Sequence, residues 1–273
     1  TDEKCRAVKI TGKGWEIVDD PPILFTRYSH QAPQVEPVPG GDLGRLDAFM
    51  SNTADADKLL IKAWLVSCLV PNIPHPIPVF HGPQGSGKTM FARMLRRLVD
   101  PSSVETLSLP RDQKELVQTL AHHYVAMFDN VDTLQPWQSD ILCRACTGEG
   151  FSKRQLFTDD DDIIYSFRRC VGLNGINIAA TRADLLDRSI LTGLERISLD
   201  RRREEDELET AFAEARPHIL GGILDVFSRA ICLRPSVELD SKPRMADFAR
   251  WGCAITEALG GKAEEFQQAY DSN

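Results

Sequence analysis

The sequence predicts an α/β fold, a parallel sheet flanked by helices, with a helical C-terminal attachment. Three observations carry that expectation. A short apolar run at residues 77–80 leads into a glycine-rich turn and an amphipathic stretch at 90–99, the strand–loop–helix context of a phosphate-binding loop. Strand-like and helix-like segments then alternate at 124–128, 136–146 and 170–173, as they do when helices cover a parallel sheet. Beyond Asp200 the pattern is helical throughout.

Taken in order, residues 8–28 form short apolar pieces broken by Gly12, Gly14, Pro21 and Pro22, like the end of a β-rich unit. Residues 31–44 are rich in proline and glycine and read as an extended, weakly structured linker. A strongly apolar helix pair is expected over 46–70, closed by a second proline cluster at 71–78. After Asp200 come helical stretches at 201–209, 219–233 and 245–270, with Pro217, Pro235 and Pro243 as separators. The division expected is an N-terminal β-like segment and linker (1–45), a P-loop core with its preceding helices (46–200) and a C-terminal helical subdomain (201–273).

At 273 residues the chain can hold one large domain, or a core with a smaller helical attachment. It has no apolar run of membrane-spanning length and starts at Thr1 without a signal pattern, so the expectation is a soluble cytoplasmic protein without a membrane partner, cut from a longer chain. Seven irregularly spaced cysteines fit reduced thiols. Cys143 and Cys146 lack a second Cys or His pair at zinc spacing and read as buried thiols. A net charge of −8 means that any nucleic-acid contact must be local, because neutralising phosphates needs clustered Lys and Arg.

The segment Gly82-Pro83-Gln84-Gly85-Ser86-Gly87-Lys88-Thr89 matches the Walker A pattern in full. Its glycines let backbone N–H groups close around a phosphate, and the helix start that follows, through Met90, adds a favourable dipole. Lys88 is expected to reach the β- and γ-phosphates of ATP, and the Thr89 hydroxyl to bind Mg²⁺. About forty residues on, an apolar strand ends in Asp129, the Walker B arrangement that holds Mg²⁺. Next stands Asn130, an amide that can orient a water but cannot take its proton. Asp132 lies near enough in sequence to substitute. Asn174 follows the apolar run 170–173 and is either a sensor of the γ-phosphate and attacking water or the start of an Asn-Gly turn. Arg182 and Arg188 flank Asp184-Leu185-Leu186-Asp187; each is either a trans-acting arginine or a surface residue paired with Asp184 or Asp187.

This order of motifs resembles the superfamily three helicase branch of AAA+ ATPases, in phages, plasmids and integrated elements, related to poxvirus-type primase-helicases. Thr147 to Phe157, with its Gly-Glu-Gly-Phe and Arg-Gln-Leu-Phe pieces, looks like the family's Gly-rich segment and following strand, and Val171-Gly172-Leu173-Asn174-Gly175 like its sensor strand. The chain is also similar to phage-borne ATP-binding proteins with comparable Asp-Leu-Leu-Asp-Arg and Pro-Arg-Met-Ala-Asp-Phe segments, here 184–188 and 243–248. The resemblance implies an AAA+ type P-loop core and a ring, usually a hexamer, with ATP between subunits and Arg188 acting in trans. It also implies a pore hairpin gripping single-stranded or forked DNA, and a primase-like unit upstream.

That hairpin would run out over 151–157, turn at 158–162 and return over 163–169. Four successive aspartates, Asp159 to Asp162, would repel a phosphate backbone at its tip. DNA contact is therefore assigned to its sides, to Lys153 and Arg154 first and then Arg168 and Arg169, against the alternative of cross-strand pairing with acids. His122 and His123 read as a helix end with one buried and one exposed ring, and Arg201 to Arg203 as part of a salt-bridged helix face with the acids that follow. Arg216 or Arg244 are candidate lid arginines. The leading function is an ATP-hydrolysing DNA helicase or translocase of mobile-element replication. The competing one is an ATP-dependent assembly or switch protein, of a regulatory or defence complex, in which Asn130 slows hydrolysis.

Overall fold

A computed structural model describes residues 2–154, 162–177, 182–198, 200 and 202–273, with the backbone alone at 151–154 and 162–165. An antiparallel hairpin, β1 (Ala7–Thr11) and β2 (Gly14–Val18), opens the chain. A 3-10 helix (Leu43–Phe49) and α1 (Asp55–Ser67) precede β3 (Ile77–His81), α2 (Lys88–Val99), α3 (Gln113–His122), β4 (Val125–Phe128) and α4 (Pro136–Thr147). A second antiparallel hairpin, β5 (Phe151–Arg154) with β6 (Asp162–Tyr165), leads to β7 (Cys170–Gly175), α5 (Ala183–Leu186) and β8 (Ser189–Gly193). The chain closes with α6 (Glu205–Leu233), α7 (Ala246–Ala258) and α8 (Ala263–Asp271).

The core is a four-stranded parallel sheet in the order β4-β7-β3-β8, a mixed α/β architecture with helices around it. Strands β4 and β7 are buried along their whole length, which is why their sequences are continuously apolar rather than alternating. Leu107 extends β4 by one bridge: its N–H donates to Met127 O at 2.8 Å and its carbonyl accepts from Asp129 N at 2.9 Å. α2 buries Phe91, Ala92, Met94, Leu95 and Leu98, and Phe91 meets Phe80 of β3 edge-on at 5.2 Å.

Several elements depart from the sequence reading. β8 occupies residues read as the end of a helix or turn and their continuation; it is set by parallel pairing with β3 across more than a hundred residues, which no local pattern announces. α3 was not anticipated either, and is started by Asp112, whose carboxylate accepts from Lys114 N and Glu115 N.

The proline at 217 does not end a helix. α6 runs 29 residues straight through it. A proline inside a helix costs about 3 kcal/mol, and here tertiary bonds on both sides offset that. Arg216 donates to Gln34 Oε1 at 2.7 Å and Arg97 O at 2.9 Å, while Val38 N and Asp42 N donate at 3.0 Å to the carbonyls of Pro217 and His218. The proline-rich segment is extended, as expected, but firmly docked. It crosses α6 where Gly221 has no side chain, and a Cβ there would fall 1.8 Å from Val38 O.

The N-terminal hairpin also packs on α6. Trp15 Nε1 donates to Asp225 Oδ1 at 2.8 Å and Ser228 Oγ to Thr11 O at 2.6 Å. The apolar stretch at 245–270 is two helices, because Gly260 adopts φ 91° after α7. α1 packs against α6, α7 and α8, so the helical layer draws on both sides of residue 200. Among the described residues no helix is long and apolar enough to cross a membrane.

Candidate functional site

β3, β4 and β7 converge at their C-terminal ends on a cavity of about 370 Å³, lined by the loop residues Gln84 to Met90 together with Asp129, Asn130 and Asn174. In an open parallel sheet this is where ligands collect. The loop between β3 and α2 bends through left-handed backbone at Gly85 (φ 77°) and Gly87 (φ 79°), and Gly87 caps α2. Lys88 Nζ folds back onto the loop, donating to Gly82 O at 2.8 Å, Pro83 O at 2.9 Å and Ser86 Oγ at 3.2 Å. Burial lowers the Lys88 pKa, with nearby Asp129 opposing that shift.

Thr89 Oγ1 donates to Asp129 Oδ1 at 3.1 Å, so the first turn of α2 and the end of β4 present a hydroxyl and a carboxylate together. These are the hard oxygen donors Mg²⁺ prefers. Asp129 is the single carboxylate among the described residues lining this cavity. Asn130 adopts φ 54°, and its N–H donates to Asn174 Oδ1 at 3.2 Å. That bond assigns the Asn174 amide: its oxygen faces Asn130, and its Nδ2 is a buried donor without a partner. Asn174 is 3% exposed and lies in β7, paired with Phe80, so it is a strand-end residue rather than the first residue of a turn. Asp132 is exposed and outside the cavity lining.

A second cavity of about 590 Å³ adjoins the loop on its other side, sharing Ser86, Gly87 and Met90 and walled by Phe49, Leu194 and Ile197. Asn52 pins its floor. Its Nδ2 donates to Ser86 O at 2.9 Å and to Glu195 O at 2.6 Å, tying the segment before α1 and the segment after β8 to the loop. Sequence reading passed over Asn52, which carries no motif; only its long-range bonds mark it.

The candidate arginines lie elsewhere. Arg188 ion-pairs with Asp184, donates to Asp184 O at 2.8 Å and keeps a buried Nε. Arg244 donates to the same Asp184 at 2.6 Å and to Asp187 at 3.2 Å, and Arg182 stands 3.5 Å from Asp140. Arg216 is spent on Gln34 and Arg97 O, and the ion pairs of Arg244 turn it to α5, so neither candidate lid arginine lines the cavities beside the loop.

At the second hairpin the backbone pairs Lys153 with Ile163 and Arg154 with Asp162, antiparallel; the expected turn lies outside the described residues, apart from Asp162. Arg168 and Arg169 at its base are turned inward. Arg168 Nε donates to Thr147 O at 2.9 Å, and Arg169 donates to Leu120 O at 2.7 Å and Ala121 O at 2.8 Å. Burial lowers the Arg169 pKa. Both side chains anchor the hairpin to α3 and α4. His123 is buried, with Nδ1 2.8 Å from Arg96 Nη2, and the His122 ring meets Tyr28 at a tilt, 4.7 Å between centroids. Cys143 and Cys146 are buried free thiols in α4. No group of three or more His, Cys, Asp or Glu among the described residues is arranged to hold a metal.

The fold has solved counterparts. One structure of the NrS-1 C terminal region superposes with a TM-score of 0.50 at 13% identity, covering 86% of this chain and 52% of that one. A second structure of that region gives 0.43 at 16% identity, covering 70% and 46%, and a JCV helicase gives 0.34 at 14%, covering 77% and 67%. The chain thus spans about half the length of the first two. No curated protein sequence matches this one. The model of the actinomycete integrative conjugative element replication proteins matches residues 42–271, nearly the whole of the sheet and helical layer described above, and the chain belongs to that family.

Proposed function

We propose that the chain is the ATP-hydrolysing motor of a mobile-element replication protein, acting on single-stranded or forked DNA as a ring oligomer, with a hexamer as the expected size. Residues 46–200 form its ATPase core, 201–273 its helical attachment and 1–45 its N-terminal segment. One observation carries the reading. A buried, unpartnered amide donor, Asn174 Nδ2, lines the same cavity as Lys88 and the Thr89–Asp129 pair. A buried donor without an acceptor is costly, and an anionic ligand in this cavity supplies one.

In this reading Gly82 to Met90 hold the phosphates through backbone N–H groups, and Lys88 exchanges its loop carbonyls for phosphate oxygens. Thr89 and Asp129 hold Mg²⁺, which neutralises charge on the phosphates when bound. Asn174 orients the water or the γ-phosphate, and the second cavity receives the base. Arg188 serves a neighbouring subunit's nucleotide once released from Asp184. Lys153 and Arg154 on β5 contact DNA, with Arg168 and Arg169 positioning their hairpin.

One observation favours a second reading, the ATP-dependent assembly switch. The residue after Asp129 is an amide, and Asp129 is the only described carboxylate at the cavity, so proton removal from water has no dedicated base there. Strand displacement on a forked duplex separates the two. The motor unwinds it with ATP and loses unwinding in the double variant Lys153→Ala with Arg154→Ala; a protein that assembles with ATP but displaces no strand is the switch.

A further inference from the structure

The segment joining β8 to α6 is strapped across the phosphate-binding loop. Leu194 O lies 2.1 Å from where a Cβ on Gly82 would stand, Ile197 Cδ1 3.5 Å from the Cβ position of Gly87, and Arg202 Nη2 3.1 Å from that of Gly85. Asn52 fastens the strap by accepting Glu195 N at its carbonyl (3.0 Å) and donating to Glu195 O. Three strap residues thus touch the three glycines whose backbone would face a bound phosphate chain.

Arg202 is the strap arginine that reaches Gly85 of the loop. Of the acids that follow Arg203, Glu205 and Glu209 are engaged by Arg93 and Arg97, and among the described residues Arg202 makes one long hydrogen bond, Nε to Ile197 O at 3.4 Å. It also lines the cavity on the base side of the loop. A guanidinium resting on a phosphate-binding loop, with no carboxylate partner among the described residues, is placed for an anion, whose oxygens its fork of donors matches.

We propose that Arg202 is a phosphate-binding residue supplied in cis by the strap, contacting the polyphosphate of the bound nucleotide at the Gly85 end of the loop. This rests on the nucleotide-binding reading above. It corrects the expectation that Arg202 belongs to a salt-bridged helix face, and it couples the start of α6 to occupancy of the loop. Because the contact is to phosphate, it acts on nucleoside di- and triphosphates alike and leaves recognition of the base unchanged.

The test is equilibrium binding of fluorescent ADP and ATP analogues, with Mg²⁺, to the unmodified chain, Arg202→Ala, Arg202→Lys and the remote surface variant Arg250→Ala, each checked by thermal unfolding. The expected result is an affinity about tenfold weaker for both nucleotides in Arg202→Ala, equivalent to about 1.4 kcal/mol, with most of it regained in Arg202→Lys and none lost in Arg250→Ala. Arg202→Ala binding within twofold of the unmodified chain overturns the proposal and leaves the nucleotide site standing. An unmodified chain that binds neither nucleotide overturns the site reading itself.

Discussion

Replacing Asn174 by Ala separates two jobs that one side chain does. Its Oδ1 accepts from Asn130 N, which sits at φ 54°, and its Nδ2 is a buried donor reserved for ligand. Removing the amide orphans the Asn130 N–H next to the cavity, at about 1–3 kcal/mol. In a chain of this size that lowers Tm by roughly 2–4 °C for each kcal/mol. Removing Nδ2 costs nothing in the free protein, since it has no partner to lose, but takes a preorganised donor from the reaction. Donors of that kind are worth about 10²–10³ in kcat. Asn174→Ala is therefore expected to be modestly less stable, to bind ATP more weakly and to turn it over about a hundredfold more slowly. Asn174→Asp keeps the acceptor for Asn130, and its stability should fall less, yet a carboxylate beside Asp129 and the phosphates should abolish both binding and turnover. Calorimetric unfolding, nucleotide titration and steady-state hydrolysis read the three quantities. A variant that loses stability but hydrolyses ATP at the unmodified rate would refute the role given to Nδ2.

Two further predictions concern the scaffold. Gly221→Ala places a methyl group 1.8 Å from Val38 O, where backbone must move, so a loss of about 1–3 kcal/mol is expected, read as a lower denaturant midpoint; an unchanged midpoint would mean that the linker does not dock on α6 in solution. His123 is buried beside Arg96, and burial first, then that guanidinium, pushes its pKa down to about 3 from 6.5. The unfolded chain takes up this proton below about pH 6.5 while the folded chain refuses it until about pH 3, so stability should fall through that window by up to about 1.4 kcal/mol per pH unit. His123→Gln keeps an acceptor for Arg96 and should flatten that slope; an equally steep profile in the variant would assign the acid sensitivity to other groups.

What was legible in the sequence was local. The loop from Gly82 to Thr89 declares itself because strand, glycines and helix start are contiguous, and Asp129 and Asn174 follow because each ends an apolar run. The features that sequence reading missed depend on partners far along the chain. β8 exists by pairing with β3, Asn52 matters because it reaches Ser86 and Glu195, and Arg202 meets Gly85 only because the strap folds back. Pro217 misled for the same reason. Its cost is local and was counted, whereas the bonds that offset it come from Gln34, Val38 and Asp42. Arg168 and Arg169 read as surface cations because charge is visible in sequence and the carbonyls that receive it are not.

The central claim is that this cavity hydrolyses ATP in the service of DNA work. Its most direct test is steady-state ATP hydrolysis by the chain and by Lys88→Ala, each with and without single-stranded DNA. The account predicts turnover that rises with DNA and vanishes in Lys88→Ala. A rate unaffected by DNA, or one that survives loss of Lys88, would contradict it.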